Sequence, residues 1–233
     1  MPALLSGGSP KIDKSDEAGL GYLTKIMYLA PATLSGHNVC PWSSPGCRAG
    51  CLNKSGRGYC GSVQDARIRK TRLLFENVGA FRYLMFQELD KFVKRCVKLG
   101  VKPAVRLNGT SDVAWEKVLP DMFTGFPQIQ FYDYTKSINR VLFCQSDRYH
   151  LTFSRSEEPQ NHEDCKLALR LRCNVAVVFK NGLPKTYMGY PVIDGDKHDL
   201  RFLDPENVVV GLKAKGRARK DTSGFVVDAE GCK

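Results

Sequence analysis

Cys40, Cys47, Cys51 and Cys60 lie in the stretch GHNVCPWSSPGCRAGCLNKSGRGYCG with the spacing C-x₆-C-x₃-C-x₈-C. Pro41, Pro45, Gly46, Gly50, Gly56 and Gly58 fall between or beside them. Proline removes a backbone donor and glycine loosens φ, so the pattern predicts a loop folded back on itself rather than a regular helix or strand. Such a loop turns several sulfurs toward one centre. Thiolates without histidine are soft ligands and suit an iron–sulfur cluster or zinc. Structural zinc sites commonly carry paired C-x₂-C knuckles, which are missing here, so the spacing favours iron–sulfur. Zinc remains the alternative metal, with His37 or Cys60 as its fourth ligand. Ligation by three cysteines would leave one iron open to a substrate, as an enzyme needs. Closure by Cys60 would leave electron transfer, redox sensing or a structural role. Whether the chain is an enzyme stays open on these grounds.

A second set of polar residues falls where strands are expected to end. Asn108 and Asp112 follow one strand, Asp133 and Lys136 the next, and Arg155 and Glu157 a third. In parallel α/β folds, ligands sit at the C-terminal ends of strands. The six are therefore candidate substrate-binding residues on the rim that bears the cysteines. Asp112 and Ser111 could each equally serve as a helix N-cap. Asp194-Gly-Asp196 reads as a tight turn in preference to a Mg²⁺ site. Lys213, Lys215, Arg217, Arg219 and Lys220 place five positive charges in ten residues, either a solvated tail or an arm that contacts nucleic-acid phosphates.

The elements that must position these groups alternate along the chain. Residues 21–31 read as a first strand feeding the cysteine loop, which spans 36–61. A helix is expected from Ser62, as N-cap, to about Asn77. Another is expected over 80–99, where Phe81, Leu84, Met85, Leu89, Phe92, Val93 and Cys96 recur at three- and four-residue steps before Gly100. Strands over 103–108, 129–134, 149–154 and 174–179 then alternate with helices over 112–126, interrupted by Pro120, and over 137–144 and 162–172. That rhythm argues for parallel strands with crossover helices. Short strands joined by turns fill the last fifty residues. Residues 1–20 read as a loosely held arm ahead of a single α/β domain over 21–233.

The 233 residues carry 35 Lys and Arg against 24 Asp and Glu, a net charge of +11 that favours polyanionic partners such as nucleic acid. Apolar residues make up 42% and charged residues 25%, as in ordinary globular proteins. No apolar run reaches the length of a membrane span, and no secretory leader is apparent, so a cytoplasmic protein is expected and a membrane partner is not. In a reducing compartment, clustered cysteines bind metal or react rather than form disulfides. Cys96, Cys144, Cys165, Cys173 and Cys232 are scattered and read as core or surface residues.

A strand, a three-cysteine loop and a helix opening a parallel α/β chain resemble the radical SAM superfamily. There the spacing is C-x₃-C-x₂-C, where this chain has C-x₆-C-x₃-C. That resemblance implies a partial or degenerate (β/α) barrel, with a mixed β C-terminal part in this chain. It also implies a 4Fe-4S cluster and S-adenosylmethionine bound at its fourth iron. More closely, CPWSSPGCRAGCLNKSGRG, VRLNGTSDVAWE, FYDYTK, LTFSRSE, NVAVVF and VIDGDKHDLRF are similar to a family of bacteriophage proteins over about Cys40 to Gly216. Cys40, Cys47 and Cys51 match the cysteines that recur in it. The resemblance implies a phage protein acting in the cytoplasm of the host cell.

Overall fold

The computed structural model describes residues 3–7, 19–144 and 146–231. Along the chain run β1 (Leu5–Ser6), β2 (Tyr22–Met27), α1 (Pro45–Ala49), α2 (Gly61–Glu76), α3 (Val78–Leu99) and β3 (Lys102–Arg106). Then come α4 (Trp115–Val118), α5 (Asp121–Gly125), β4 (Gln130–Thr135), α6 (Ile138–Phe143), β5 (Tyr149–Ser154), α7 (Pro159–Arg170) and β6 (Val175–Lys180). The chain finishes with β7 (Thr186–Tyr187), β8 (Tyr190–Asp194), β9 (Val209–Lys213) and β10 (Val227–Asp228). It is a mixed α/β chain whose strands pair mostly in parallel. It divides into two compact units: residues 1–41, 53–133 and 145–150 form the first, and residues 42–52, 134–144 and 151–233 the second.

In the first unit β2 pairs in parallel with β3, and β3 with β4, while β1 runs antiparallel on β2. Helix α3 packs on β3 and on α2. Its apolar stripe, Phe81, Met85, Leu89, Phe92 and Cys96, is buried as the three- and four-residue spacing predicts. Each such large side chain taken fully out of water contributes about 1.5–3 kcal/mol. Asn77 starts this helix by accepting the Ala80 amide at 2.9 Å, and Gly100 ends it in the left-handed region at φ 67°. Helix α2 starts at Gly61, with Cys60 as its N-cap in place of the expected Ser62. The Cys60 carbonyl already accepts the amides of Val63 and Gln64, so the helical ladder begins earlier. The expected helix over 112–126 is two short helices, α4 and α5, on either side of Leu119–Pro120.

Of the segment expected as a loose arm, residues 1–2 and 8–18 lie outside the described residues, as does Cys232. Leu4 and Leu5 are buried, and their amides donate to the Glu88 carboxylate at 2.6 and 2.8 Å. Lys70 donates to the Leu4 carbonyl at 2.9 Å. Burial pulls the Lys70 ammonium below its ordinary pKa, against the opposing pull of Glu88.

In the second unit the strand order is β5-β6-β9-β8-β7. The β6 run is buried along most of its length, as its continuous apolar sequence predicts. With α7 it forms a core of Phe153, Cys165, Ala168, Leu169, Val175, Val177, Phe179 and Val209. β5 pairs with the start of β6 at Val175 and Ala176, and β10 pairs farther along, at Phe179 and Lys180. The expected turn at Asp194-Gly-Asp196 is present, closed by the Asp196 amide on Asp194 Oδ1 at 2.9 Å.

Candidate functional site

The cysteine stretch is more regular than its composition predicts. Pro45–Ala49 form a single helical turn, α1. Proline at the first helical position costs no hydrogen bond there, and Ser44 caps the turn by accepting the Cys47 amide at 3.2 Å. This corrects the reading of the whole stretch as irregular. Cys47 lies on α1, and Cys51 follows just past the C-cap Gly50.

A carboxylate holds this turn in place within the second unit. Glu157 accepts the Gly46 amide at 2.6 Å and the Ser44 hydroxyl at 2.7 Å. Negative charge beside the free amides of a helical N-terminus is favourable. Gly46 is required by space: a Cβ there would fall 2.6 Å from Phe225 Cβ and 2.9 Å from Glu157 Oε1. Cys47 packs against Ala218, Phe225 and Val226. Arg155 donates to the Phe225 carbonyl at 2.9 Å, and Lys136 donates to Ser154 Oγ at 3.0 Å with its ammonium 5.6 Å from the Phe225 ring centre. Lys136, Arg155 and Glu157, expected together at strand ends, thus gather with Cys47 around Phe225. Ser44, Gly46 and Phe225 are the partners that the sequence reading missed. Ser44-Pro45 is a readable N-cap followed by proline; the link to Glu157 has no local signal.

In the first unit, Cys40 lies beside the loop after β3. Its Sγ accepts the Ala32 amide at 3.4 Å and stands 3.6 Å from the Thr110 carbonyl. Asp112 donates its amide to the Val39 carbonyl at 2.8 Å, and the N-cap position of α4 falls to Ala114 in place of Ser111 or Asp112. Ala32 adopts φ 48° and also accepts the Val39 amide at 3.2 Å, closing the loop that presents Cys40. Cys60 is exposed. His37 stacks on Phe75 at 4.6 Å and lies 3.5 Å from Glu76.

Asn108 and Asp133 come together, buried. The Asn108 amide and Nδ2 donate to the two Asp133 oxygens at 2.7 and 3.2 Å, and Tyr149 donates its hydroxyl to Asp133 at 2.5 Å. Asn108 Oδ1 accepts from Ser111 Oγ, the Val113 amide and the Trp115 indole at 2.8 to 3.1 Å. This network fixes the turn after β3 and explains why helix begins only at Trp115.

Within the basic run, Lys213 stands 3.8 Å from Asp194 and Lys215 2.7 Å from Asp196. Arg217, Arg219 and Lys220 are exposed on the 3₁₀ turn Gly216–Lys220. Among the described residues no group of three or more His, Cys, Asp or Glu side chains is arranged to hold a metal ion, and no helix is long and apolar enough to cross a membrane.

Parallel strands joined by helices, with an internal cysteine-bearing turn pinned by a carboxylate, define a mixed α/β protein. The chain belongs to the Gene product 88 family, which it matches over residues 3–229. This is a phage-type family, in agreement with the resemblance carried by the sequence motifs. No curated protein and no solved structure matches the chain.

Proposed function

We propose that the cysteine stretch is a thiolate metal centre of the iron–sulfur class, with Cys40, Cys47 and Cys51 as ligands and Cys60 as a candidate fourth. The observation that supports this most is the fixing of the stretch in each unit. A backbone amide is aimed at the Cys40 sulfur, and Glu157 anchors the turn that carries Cys47. Amide donors to sulfur stabilise thiolates and tune cluster potential. The donor set fits a soft metal; a cluster there would supply one-electron chemistry, and an open iron would admit S-adenosylmethionine. Zinc is the alternative metal. A partial (β/α) barrel is part of the same proposal, supported by the parallel runs β2-β3-β4 and β5-β6-β9 and by the helices that lie between successive strands from β2 to β6. The parts assigned to this chain's residues are binding and anchoring.

Anaerobic purification followed by iron, sulfide and zinc analysis and an absorbance spectrum near about 400 nm tests this reading. Iron and sulfide in cluster ratio, lost in Cys47→Ala but kept in Cys60→Ala, are expected for three-cysteine ligation. A colourless protein with stoichiometric zinc, or with no metal, overturns it.

A second reading, nucleic-acid binding, is favoured by a specific observation. Arg217, Arg219 and Lys220 are exposed on one 3₁₀ turn, and Arg219 donates to the Ala214 carbonyl. Salt-sensitive retention on immobilised DNA is the corresponding test.

A further inference from the structure

We propose that the second unit carries a single-stranded nucleic-acid interface formed by Arg48, Arg217, Arg219 and Lys220, with Trp42 as its stacking ring. The inference rests on the nucleic-acid reading above and adds two residues outside the basic run, together with the form of the strand.

The adjacency is set by small residues. A Cβ built on Gly50 would meet Ala218 Cβ at 3.3 Å and its Cα at 3.6 Å, so the C-terminal end of α1 lies directly on the 3₁₀ turn. Ala218 is buried with Cys47, Phe225 and Val226. Because Ala218 faces inward, Arg217, Arg219 and Lys220 are left exposed, and Arg48 is exposed on α1. The two parts of the chain, far apart in sequence, thereby present one cationic surface.

Two carboxylates of this unit, Glu157 and Asp221, are engaged by other groups. Glu157 is bound by Gly46 and Ser44. Asp221, which directly follows the turn, accepts from Ser223 Oγ at 2.6 Å and from the Val226 amide at 2.9 Å. Among the described residues Arg48 bonds to the carbonyl and hydroxyl of Ser43, and Arg219 to the Ala214 carbonyl. Lys213 and Lys215 differ, since Asp194 and Asp196 offset them. Charge in the run is therefore concentrated at its second half.

Trp42 is 39% exposed, three residues before α1. An exposed indole offers a face on which any base can stack, and Trp42 lies six residues ahead of the exposed Arg48 in the same unit, whose cations would follow the phosphates. Reading a duplex groove takes a helix or ribbon long enough to enter it. Helix α1 has five residues, and the cationic segment is a 3₁₀ turn. The surface thus suits an unpaired strand.

The test is fluorescence anisotropy with a labelled oligothymidylate of about 20 nucleotides and with a duplex of equal length, beside the intrinsic tryptophan signal. Trp115 is fully buried, so quenching by the unlabelled strand reports Trp42. The expected result is tighter binding of the single strand, quenching, and a roughly 50-fold loss of affinity between about 50 and 200 mM salt if four phosphates are contacted. R217E/R219E/K220E and R48Q should each weaken binding with an unchanged far-UV spectrum. Trp42→Ala should cost about tenfold. K213E/K215E should matter least. Equal affinity for the duplex without quenching overturns this inference and leaves the nucleic-acid reading standing. No binding of either oligonucleotide at low salt, or tighter binding of heparin than of both, overturns the two together.

Discussion

Glu157 and Gly46 are joined by a hydrogen bond of 2.6 Å from the amide of one to the carboxylate of the other, although 111 residues separate them. A single acid after β5 therefore determines where the first turn of α1 sits, and with it Cys47. Removing that acid leaves the Gly46 amide and the Ser44 hydroxyl without their acceptor. Glu157→Ala is expected to destabilise the protein by about 2–3 kcal/mol. That is a fall in Tm of roughly 4–12 °C in a chain of this size, with Glu157→Gln falling less. Thermal melts of the three proteins check it, and a Tm change under about 1 °C for Glu157→Ala would discard the anchoring role.

Asn108 holds three donors on one oxygen and gives its side-chain amide hydrogens to the Val113 carbonyl and to Asp133. Asn108→Ala strands the Trp115 indole N–H and the Val113 amide inside the first unit, while Asp133 keeps the residue-108 backbone amide and the Tyr149 hydroxyl. The expected cost is about 3–5 kcal/mol, since each unpaired buried polar group costs about 1–3 kcal/mol. Red-shifted tryptophan emission and a lower urea midpoint should appear together. Normal stability with impaired ligand binding would instead make Asn108 a ligand contact.

Thiol reactivity should rank by burial. Cys60 is exposed and should alkylate first. Cys96 is fully buried, and burial pushes the Cys165 thiol up to about 12 and the Cys173 thiol up to about 11. Few of these are thiolates near neutral pH, so they should react only on unfolding. Alkylation at pH 8 with peptide mass mapping gives the order. Protection of Cys40, Cys47 and Cys51 in anaerobically prepared protein, lost on chelation, would mark them as ligands.

The Asp221 carboxyl lies below its ordinary pKa of 3.8. Burial works in the other direction, but the Ser223 hydroxyl and the amides of Val226, Ser223 and Gly224 outweigh it. A folded pKa below the unfolded one gives stability that is complete above the unfolded value and lost as pH falls through the folded value. The wild-type melting temperature should therefore decline more steeply than that of Asp221→Asn below about pH 4. Parallel acid limbs in the two proteins would show that these hydrogen bonds contribute nothing to folding.

What could be read from the chain follows from how local each signal is. Helix α3 was legible because its apolar period and Gly100 both speak for one element, although its start at Val78, capped by Asn77, lies ahead of the expected residue 80. The buried run of β6 was legible for a similar reason. Helix α1 was obscured because Pro45 and Gly46 usually break helices, and only their place behind Ser44 reverses that. Asn108 and Asp133 read from the sequence as substrate contacts; their bonds to each other, to Tyr149 and to the Trp115 indole have no local signal, because a polar side chain at a strand end looks alike whatever it faces. The basic run hid a division that only folding reveals, because Asp194 and Asp196 come from another strand and turn to offset Lys213 and Lys215.

The register of β10 has a practical consequence. Val227 and Asp228 cover the backbone of β6 at Phe179 and Lys180, beyond the point where β5 pairs with it. Trimming the tail ahead of Val227 would bare an apolar strand edge to other copies in solution. Such a shortened protein should precipitate or form higher species on concentration, whatever its remaining chemistry.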